Sequence, residues 1–333
     1  MLRALRVLPL LLAACGGDDG GDAAVVGESP DPSVVYAPAF FHDVDDTKPE
    51  ADLPTRLDFD GDWRSDNNWE HLDDFRAGNA AYTPRAWVYV ARTETVTHWF
   101  LFYGLFHPQD WDDSLLAAFG SMQHENDFEG VTIVARKSDG SVEYVAAQAH
   151  GTITYAAASE VTFDDPEQRR VRFFVEAKGH GIYHEHTSLA GADFPGGDGF
   201  VFRRTGVAEY AFDPSLDRDA GDPARREVGY ALRPMLPVWE KRLEPAGDGQ
   251  FWGGTMTYGG YRFSIAGPIG SILDGDNYGD DVASLPWNWS SGVTDVRRGD
   301  WAIDPAWAFK QRFGRGDDFS LEYVRNPYLG VGL

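Results

Sequence analysis

Cysteine is nearly missing from this chain: its 333 residues include one, Cys15. A single thiol excludes an intramolecular disulfide, a thiolate zinc cluster and a paired redox centre. Basic residues are also scarce, 29 Lys and Arg against 53 Asp and Glu, for a formal net charge of −24. A surface of that sign repels phosphate backbones, which argues against nucleic-acid partners, and it draws divalent cations instead. No apolar run approaches the roughly 20 residues that a membrane-spanning helix needs. The chain also lacks a Gly-x-Ser-x-Gly elbow, a phosphate-binding glycine loop and a His-Glu-x-x-His helix, so the common serine-hydrolase, nucleotide and zincin signatures are all missing.

The lone cysteine sits in an informative place. Arg3 and Arg6 give a positive start, Val7 to Leu12 form a short apolar run, and Ala13 and Ala14 are small residues before Cys15. That layout is a secretory signal over residues 1–14. Leu12-Ala13-Ala14-Cys15 also resembles the lipobox of bacterial lipoproteins, which implies acylation of Cys15 and a membrane partner reached through the lipid. Residues 15–34 then read as an acidic tether opening on Gly16-Gly17-Asp18-Asp19-Gly20-Gly21-Asp22, with nothing to bury. Without Arg3 and Arg6 the chain keeps 27 basic against 53 acidic residues, a formal charge of −26. The expected location is the bacterial cell envelope, at the outer membrane, with residues 35–333 forming one domain.

Stretches rich in β-branched and aromatic residues, bounded by Gly, Asp and Pro, read as strands. They are Ala86–Ala91, Thr97–Phe106, Gly130–Arg136, Val142–Ala149, Val171–Glu176, Gly199–Arg204 and Phe251–Phe263. Helical periodicity is shorter and scattered: Asn68–Arg76, Ser114–Met122, Val228–Lys241 (interrupted by Pro234 and Pro237) and Pro305–Phe313. Strands without regularly alternating helices predict a mainly β fold, a decorated antiparallel β-sandwich with a few short helices. The 11 tryptophans, several of them near glycine (Trp252, Trp287, Trp289, Trp301, Trp307), read as core filling in long connections.

Histidine is concentrated, with seven of nine lying between His98 and His186. Inside that window Ser138-Asp139-Gly140-Ser141 carries the Asp-Gly pair that favours a two-residue hairpin turn. With Asp139 and Gly140 as the loop, Glu129 lies opposite His150, and Asp127 shares their face. His124, Asp127 and Glu129 thus come to the strand that faces His150. Mixed imidazole and carboxylate ligands suit a divalent cation, and the carboxylates favour calcium, magnesium or manganese over softer ions.

The segment from Gln123 to Gly130-Val131, followed by Gln148-Ala149-His150-Gly151, resembles the central motif of the necrosis- and ethylene-inducing-peptide-like (NLP) proteins. That family carries Gly-His-Arg-His-Asp-Trp-Glu and, after a similar interval, Ala-His-Gly. Its first His, its Asp and its Glu correspond to His124, Asp127 and Glu129, and Phe128 stands where the family has Trp. Pro108-Gln109-Asp110 is similar to the family's upstream Pro-Lys-Asp. Lys178-Gly179-His180 resembles the Gly-Ser-His of a related group of vacuolar-protein-sorting-like domains. The resemblance runs from Trp99 to about Tyr183, with an echo at Pro286-Trp287. It implies a β-sandwich with a divalent cation in an acidic cavity lined by Asp110, His124, Asp127 and Glu129, with His150 and His180 beside them. Cytolytic members recognise sphingolipid sugar head groups; here Glu125 and Asn126 replace Arg and His, and the cytolysin disulfide is impossible.

A second cation candidate is independent of that motif. Asp58, Asp60, Asp62 and Asp66 stand at relative positions 1, 3, 5 and 9, a spacing that lets one turn of backbone wrap a calcium ion. Together these features predict a non-enzymatic, metal-containing envelope protein that binds a polar ligand such as a glycan or lipid head group. The alternative is a metal-dependent hydrolase in which His150 or His124 is the general base. A third reading is a structural envelope protein stapled by calcium. The anchor is the simplest part to test. A clickable fatty acid fed to expressing cells should label the wild type, and Cys15→Ser should lose both the label and the membrane fraction; equal labelling of the two would refute lipidation.

Overall fold

The computed structural model describes residues 30–333 apart from 46, 64–66, 112–123, 151, 186–198, 214–225, 242–284, 290–298, 317 and 333. Cys15, Asp66, Trp252, the expected helix Ser114–Met122 and the expected strand Phe251–Phe263 lie outside the described residues. Among the described residues eleven strands form one sheet. They are β1 (Ala39–His42), β2 (Trp87–Thr95), β3 (His98–Asp110), β4 (His124–Arg136), β5 (Val142–Ala149), β6 (Thr152–Ala157), β7 (Arg172–Val175), β8 (Ile182–Tyr183), β9 (Phe200–Arg204), β10 (Arg226–Pro234) and β11 (Tyr323–Arg325). The order is β6-β5-β4-β3-β2-β10-β9-β1-β7-β8, with β11 added to β2. At the far end β8 turns back against β5 and β4, so the sheet nearly closes into a barrel.

This corrects the expected antiparallel sandwich. β2 to β6 are an antiparallel meander, but β10 runs parallel to both β2 and β9, and β1 runs parallel to β7. Side-chain alternation reports which face is buried and is silent on strand direction, so the parallel pairs left no trace in the pattern. Val228–Lys241 is a second correction. Its first half is strand β10, whose β-branched and aromatic residues pair on both edges, and only Leu236–Glu240 is helical, with Pro237 in its first turn. Asn68–Arg76 and Pro305–Phe313 form helices as expected.

The long strand β3 is buried on both faces. Leu101, Tyr103 and Leu105 point inward with Val131, Ile133, Val145, Phe173 and Val175. Phe100, Phe102 and Phe106 point outward into a second core, roofed by Trp239, Trp287, Trp289, Trp301 and Phe309. Trp287, Trp289 and Trp301 are therefore core filling, as expected, while Trp307 is only partly buried. Beneath Phe102 and Phe128 of that core, Gly104 pairs with Gly130. A Cβ on Gly104 would stand 2.6 Å from the Phe128 ring, and one on Gly130 2.8 Å from the Tyr103 carbonyl oxygen.

The inward face changes chemistry at one end of the barrel. Along β4 the inward series Ala135, Ile133 and Val131 continues as Glu129 and Asp127, and along β3 Leu105 is followed by His107. On β1 the residue after inward Phe40 on the same face is His42. The polar end of an otherwise apolar barrel is where a site belongs. Among the described residues no helix is long and apolar enough to cross a membrane. A methyl at Gly130 has no free space, because one of its near neighbours is backbone. Gly130→Ala should therefore destabilise by about 1–3 kcal/mol, read as a lower melting temperature by circular dichroism; an unchanged melting temperature would contradict this packing.

Candidate metal and ligand site

The centre of the polar end is His180, fully buried. Its Nδ1 lies 3.0 Å from Asp127 Oδ2 and its Nε2 3.2 Å from Asp52 Oδ1. A ring bonded at both nitrogens to carboxylates is an imidazolium that donates twice. Burial opposes that charge, but the hydrogen bonds to Asp127 and Asp52 outweigh it and push the pKa up to about 10. Asp52 is itself a hub. It accepts the amides of Asp45 (2.8 Å) and Lys178 (2.7 Å) as well as His180. Asp52 reaches this point because the segment after it continues where β2 has ended: Thr55 bridges Phe106 on β3, and the Leu57 amide donates to Tyr89 Oη at 3.0 Å. No sequence signal marked Asp52, an isolated acidic residue in an acidic protein.

Among the described residues five non-glycine positions have left-handed backbone, and four of them, Asn126, His150, Lys178 and His180, surround this centre. Such conformations are costly outside glycine and persist where neighbours fix them. Each has a local reason. Asn126 Oδ1 accepts from Asn68 at 2.6 Å, while the neighbouring Glu125 Oε1 accepts the Trp69 amide at 2.7 Å. Gln109 adds a bond to the Trp69 carbonyl at 2.9 Å, so the helix Asn68–Arg76 is clamped to the ends of β3 and β4. Gly179 and Gly181 flank His180. A Cβ on Gly179 would stand 2.9 Å from His150 Cε1, and one on Gly181 2.7 Å from Glu176 Oε1.

The hairpin expectation was off by one residue. The turn closes on Arg136 and Ser141 rather than on a two-residue loop, with Gly140 in left-handed backbone (φ 73) and Asp139 Oδ1 capping the Ser141 amide at 3.0 Å. A further bulge at Val134/Ala135 sets Val131 opposite Ala147, and continuing that register puts Glu129 across from Ala149. The left-handed turn at His150 restores proximity by another route. The His150 amide donates to Glu129 Oε1 at 2.9 Å, while the half-exposed imidazole pairs with Glu176. That pairing, above all its hydrogen bond, raises the His150 pKa, helped by the negative charges of Glu176, Asp127 and Asp110. Tyr183 Oη also donates to Glu176, at 3.2 Å.

Asp110, Asp127 and Glu129 fall into one electrostatic cluster. Burial raises the Glu129 pKa well above the ordinary carboxylate range, and Asp127, Glu176 and Asp110 push it further in the same direction. Its second oxygen, Oε2, is buried with no hydrogen-bond partner among the described residues. His124 pairs in the sheet with Asp110, and its side chain lies outside what is described. Sequence reasoning also missed His107, which stands opposite Asp127 in the β3–β4 register and stacks on His180 at 3.8 Å with an interplanar angle of 10°. The ligand atoms of His107, Asp127 and His180 lie within 4.8 Å of one another, close enough for one ion.

The acidic loop is arranged differently. Asp58 faces Arg56 (3.6 Å) and Arg233 (3.1 Å), and Asp60 pairs with His71 while accepting the Asp62 amide at 3.2 Å. Among the described residues Asp58, Asp60 and Asp62 do not gather into an ion-sized group as His107, Asp127 and His180 do.

No protein-family profile matches the chain, and no curated protein matches it. The solved structures that resemble it are NLP proteins, at low identity and partial coverage. Necrosis and Ethylene inducing Protein 2 from the causal agent of cocoa's Witches Broom disease is 14% identical, with 57% of this chain and 68% of that one covered at a TM-score of 0.30. NLPPya in complex with mannosamine is 16% identical, over 31% of this chain and 45% of that one, at a TM-score of 0.24. Non-toxic HaNLP3 is 18% identical, over 31% and 41%, at 0.23. Most of these matches span less than half of the solved chain.

His180 links the site to stability. Its pKa is raised above the ordinary histidine value of 6.5, so the folded state holds a proton that the unfolded state releases. The stabilisation is complete below pH 6.5 and is lost as pH rises through about 10. The melting-temperature difference between wild type and His180→Gln should therefore shrink from pH 6 to pH 10; a difference that widens over that range would overturn the imidazolium assignment.

Proposed function

We propose that this chain is a divalent-cation-dependent binding protein of the cell envelope, with calcium or magnesium held by Asp110, Asp127 and Glu129. The observation that carries this reading is the orphaned Glu129 Oε2, buried among three further carboxylates that raise its pKa. Like charges brought together out of water need either protons or a cation, and an oxygen-only donor set suits a hard ion. His124, the first residue of β4, pairs in the sheet with Asp110. His180, expected as a ligand, has both nitrogens bonded to carboxylates and orients Asp127 from behind, within the same ion-sized group as His107.

His150 stands at the rim of this cluster, half-exposed and bonded to Glu176. A charged imidazole beside a cation suits a polar, oxygen-rich ligand, a glycan or lipid head group, whose hydroxyls can take an open metal position and accept from His150. A hydrolase would use the same residue as a base, yet its hydrogen bond to Glu176 raises its pKa and so favours the charged ring, which suits binding better than proton abstraction. The lipid on Cys15 would hold such a domain at the membrane surface.

Isothermal titration with calcium and with magnesium tests the reading. Wild type should bind one of them, and Asp110→Asn and Glu129→Gln should each weaken binding at least tenfold while the far-ultraviolet spectrum stays native. Saturation to about 100-fold above Kd should stabilise the wild type by about 2.7 kcal/mol. Wild-type protein whose melting temperature ignores both ions and chelator would refute a tightly held cation.

A further inference from the structure

Positive charge is scarce in this chain, yet two of its five lysines meet on one indole. Lys48 Nζ lies 5.4 Å and Lys178 Nζ 4.9 Å from the ring centre of Trp111, the residue that follows Asp110 at the end of β3. Lys48 also sits 4.7 Å from the Trp69 ring, on the helix Asn68–Arg76. An aromatic face attracts a cation, but two ammoniums on the same ring repel each other. Counter-charge is thin around them. Lys178 has Asp45 at 3.2 Å, whereas Lys48 makes no ion pair among the described residues. Asp73 attracts Lys48 only from a distance, being bonded to Arg76 at 3.0 Å and Gln109 at 3.3 Å, and Arg76 repels it. Burial pushes the Lys48 pKa down, as it does for a charge short of counterions.

The backbone fixes this meeting. Lys178 holds a left-handed conformation (φ 70), with its amide on Asp52 at 2.7 Å and its carbonyl accepting the Trp111 amide at 3.3 Å. Trp111 is only 3% exposed, and its indole N–H is buried without an acceptor. Two ammoniums and an indole N–H are donors alone, and what the group lacks is an acceptor carrying negative charge. We infer that Lys48, Lys178 and Trp111 form an oxyanion subsite for a phosphate group, beside the carboxylate cluster and distinct from it. A phosphate offers three acceptor oxygens, one for each donor, where a carboxylate has two. Asp110 and Trp111 are consecutive, so one ligand can meet the cation cluster through its hydroxyls and this subsite through its anion. That pairing rests on the binding reading above; the subsite itself needs no divalent ion.

The full chain with isotope-labelled tryptophan, kept in chelator, is titrated with inorganic phosphate, and chloride at matched ionic strength is the blank. The Trp111 indole N–H resonance, identified by its absence in Trp111→Phe, should shift saturably with phosphate and not with chloride. Lys48→Met and Lys178→Met keep an apolar stem on the ring and lose the charge, so each should weaken phosphate binding at least tenfold. Lys48→Arg should restore most of it. Asp45→Asn removes the competitor for Lys178 and should tighten binding. Lys137→Met, which strips a different lysine from a tryptophan (5.8 Å from Trp99), should change nothing. Glycerophosphate is the second arm: tighter binding than inorganic phosphate marks an esterified phosphate such as a head group, and weaker binding marks the free ion. A Trp111 shift that does not saturate, or that chloride reproduces, would overturn the subsite, and so would wild-type affinity in both methionine variants. Wild type that binds phosphate but neither calcium nor magnesium would support the subsite and refute the cation reading alone.

Discussion

The polar end of this barrel depends on one charge-balanced contact, the His180 imidazolium between Asp52 and Asp127. Three chain segments meet there that the sheet alone does not join: the loop before β2, the inward face of β4 and the turn before β8. Removing any one member would leave a buried charge without its counterion, which is far more damaging than never having had the set. The same contact explains the backbone around it. Lys178 and His180 both adopt left-handed conformations, with the Lys178 amide on Asp52 and the His180 ring between the carboxylates. The cost of that turn is offset by bonds available in no ordinary conformation.

Packing sets where such a site can exist. β3 is covered on both faces, by the barrel interior on one side and by the tryptophan-rich roof on the other, so its polar residues cannot turn to solvent along most of its length. Polar side chains on the inner face are tolerated only toward the end, at His107, where Asp127, His180 and His42 can meet them. The clamp of Asn68–Arg76 onto Glu125, Asn126 and Gln109 closes the outer side of that end. A rigid floor and fixed carboxylates are what pre-organise a cation site, because ligands that need not be gathered on binding lose little entropy.

Much of this was legible in the sequence, and the gaps have physical causes. Strands β2 to β5, β7 and β9 were placed from their β-branched and aromatic residues, and Asn68–Arg76 and Pro305–Phe313 came out at their observed limits, whereas β1, β6, β8 and β11 were not marked and β10 was read as helical. Strand direction did not, since β10 between β2 and β9 looks the same from its own residues whether its neighbours run with it or against it. The Glu129–His150 neighbourhood was anticipated through the wrong register; a longer turn and a bulge shifted the pairing, and the left-handed backbone at His150 brought the two together regardless. Asp110, Asp127 and Glu129 were reachable because two adjacent strands and a motif carry them. Asp52 and His42 were not, because their neighbours lie on remote segments, and His107 fell one residue past the expected strand Thr97–Phe106.

The distribution of donors divides the polar end into two chemistries. On one side burial, with the charges of Asp127, Glu176 and Asp110 added to it, raises the Glu129 pKa well above the usual range. On the other, His42 and His107 are held neutral by burial and by the positive His180 beside them. Asp127 stands between, bonded to His180 through one oxygen and opposite His107 in the sheet. Hard cations gain most where oxygen charge is concentrated. An imidazolium between the two groups lowers the repulsion among the acids and keeps nearby rings unprotonated. That double effect gives His180 a reason to be charged, buried and doubly bonded at once.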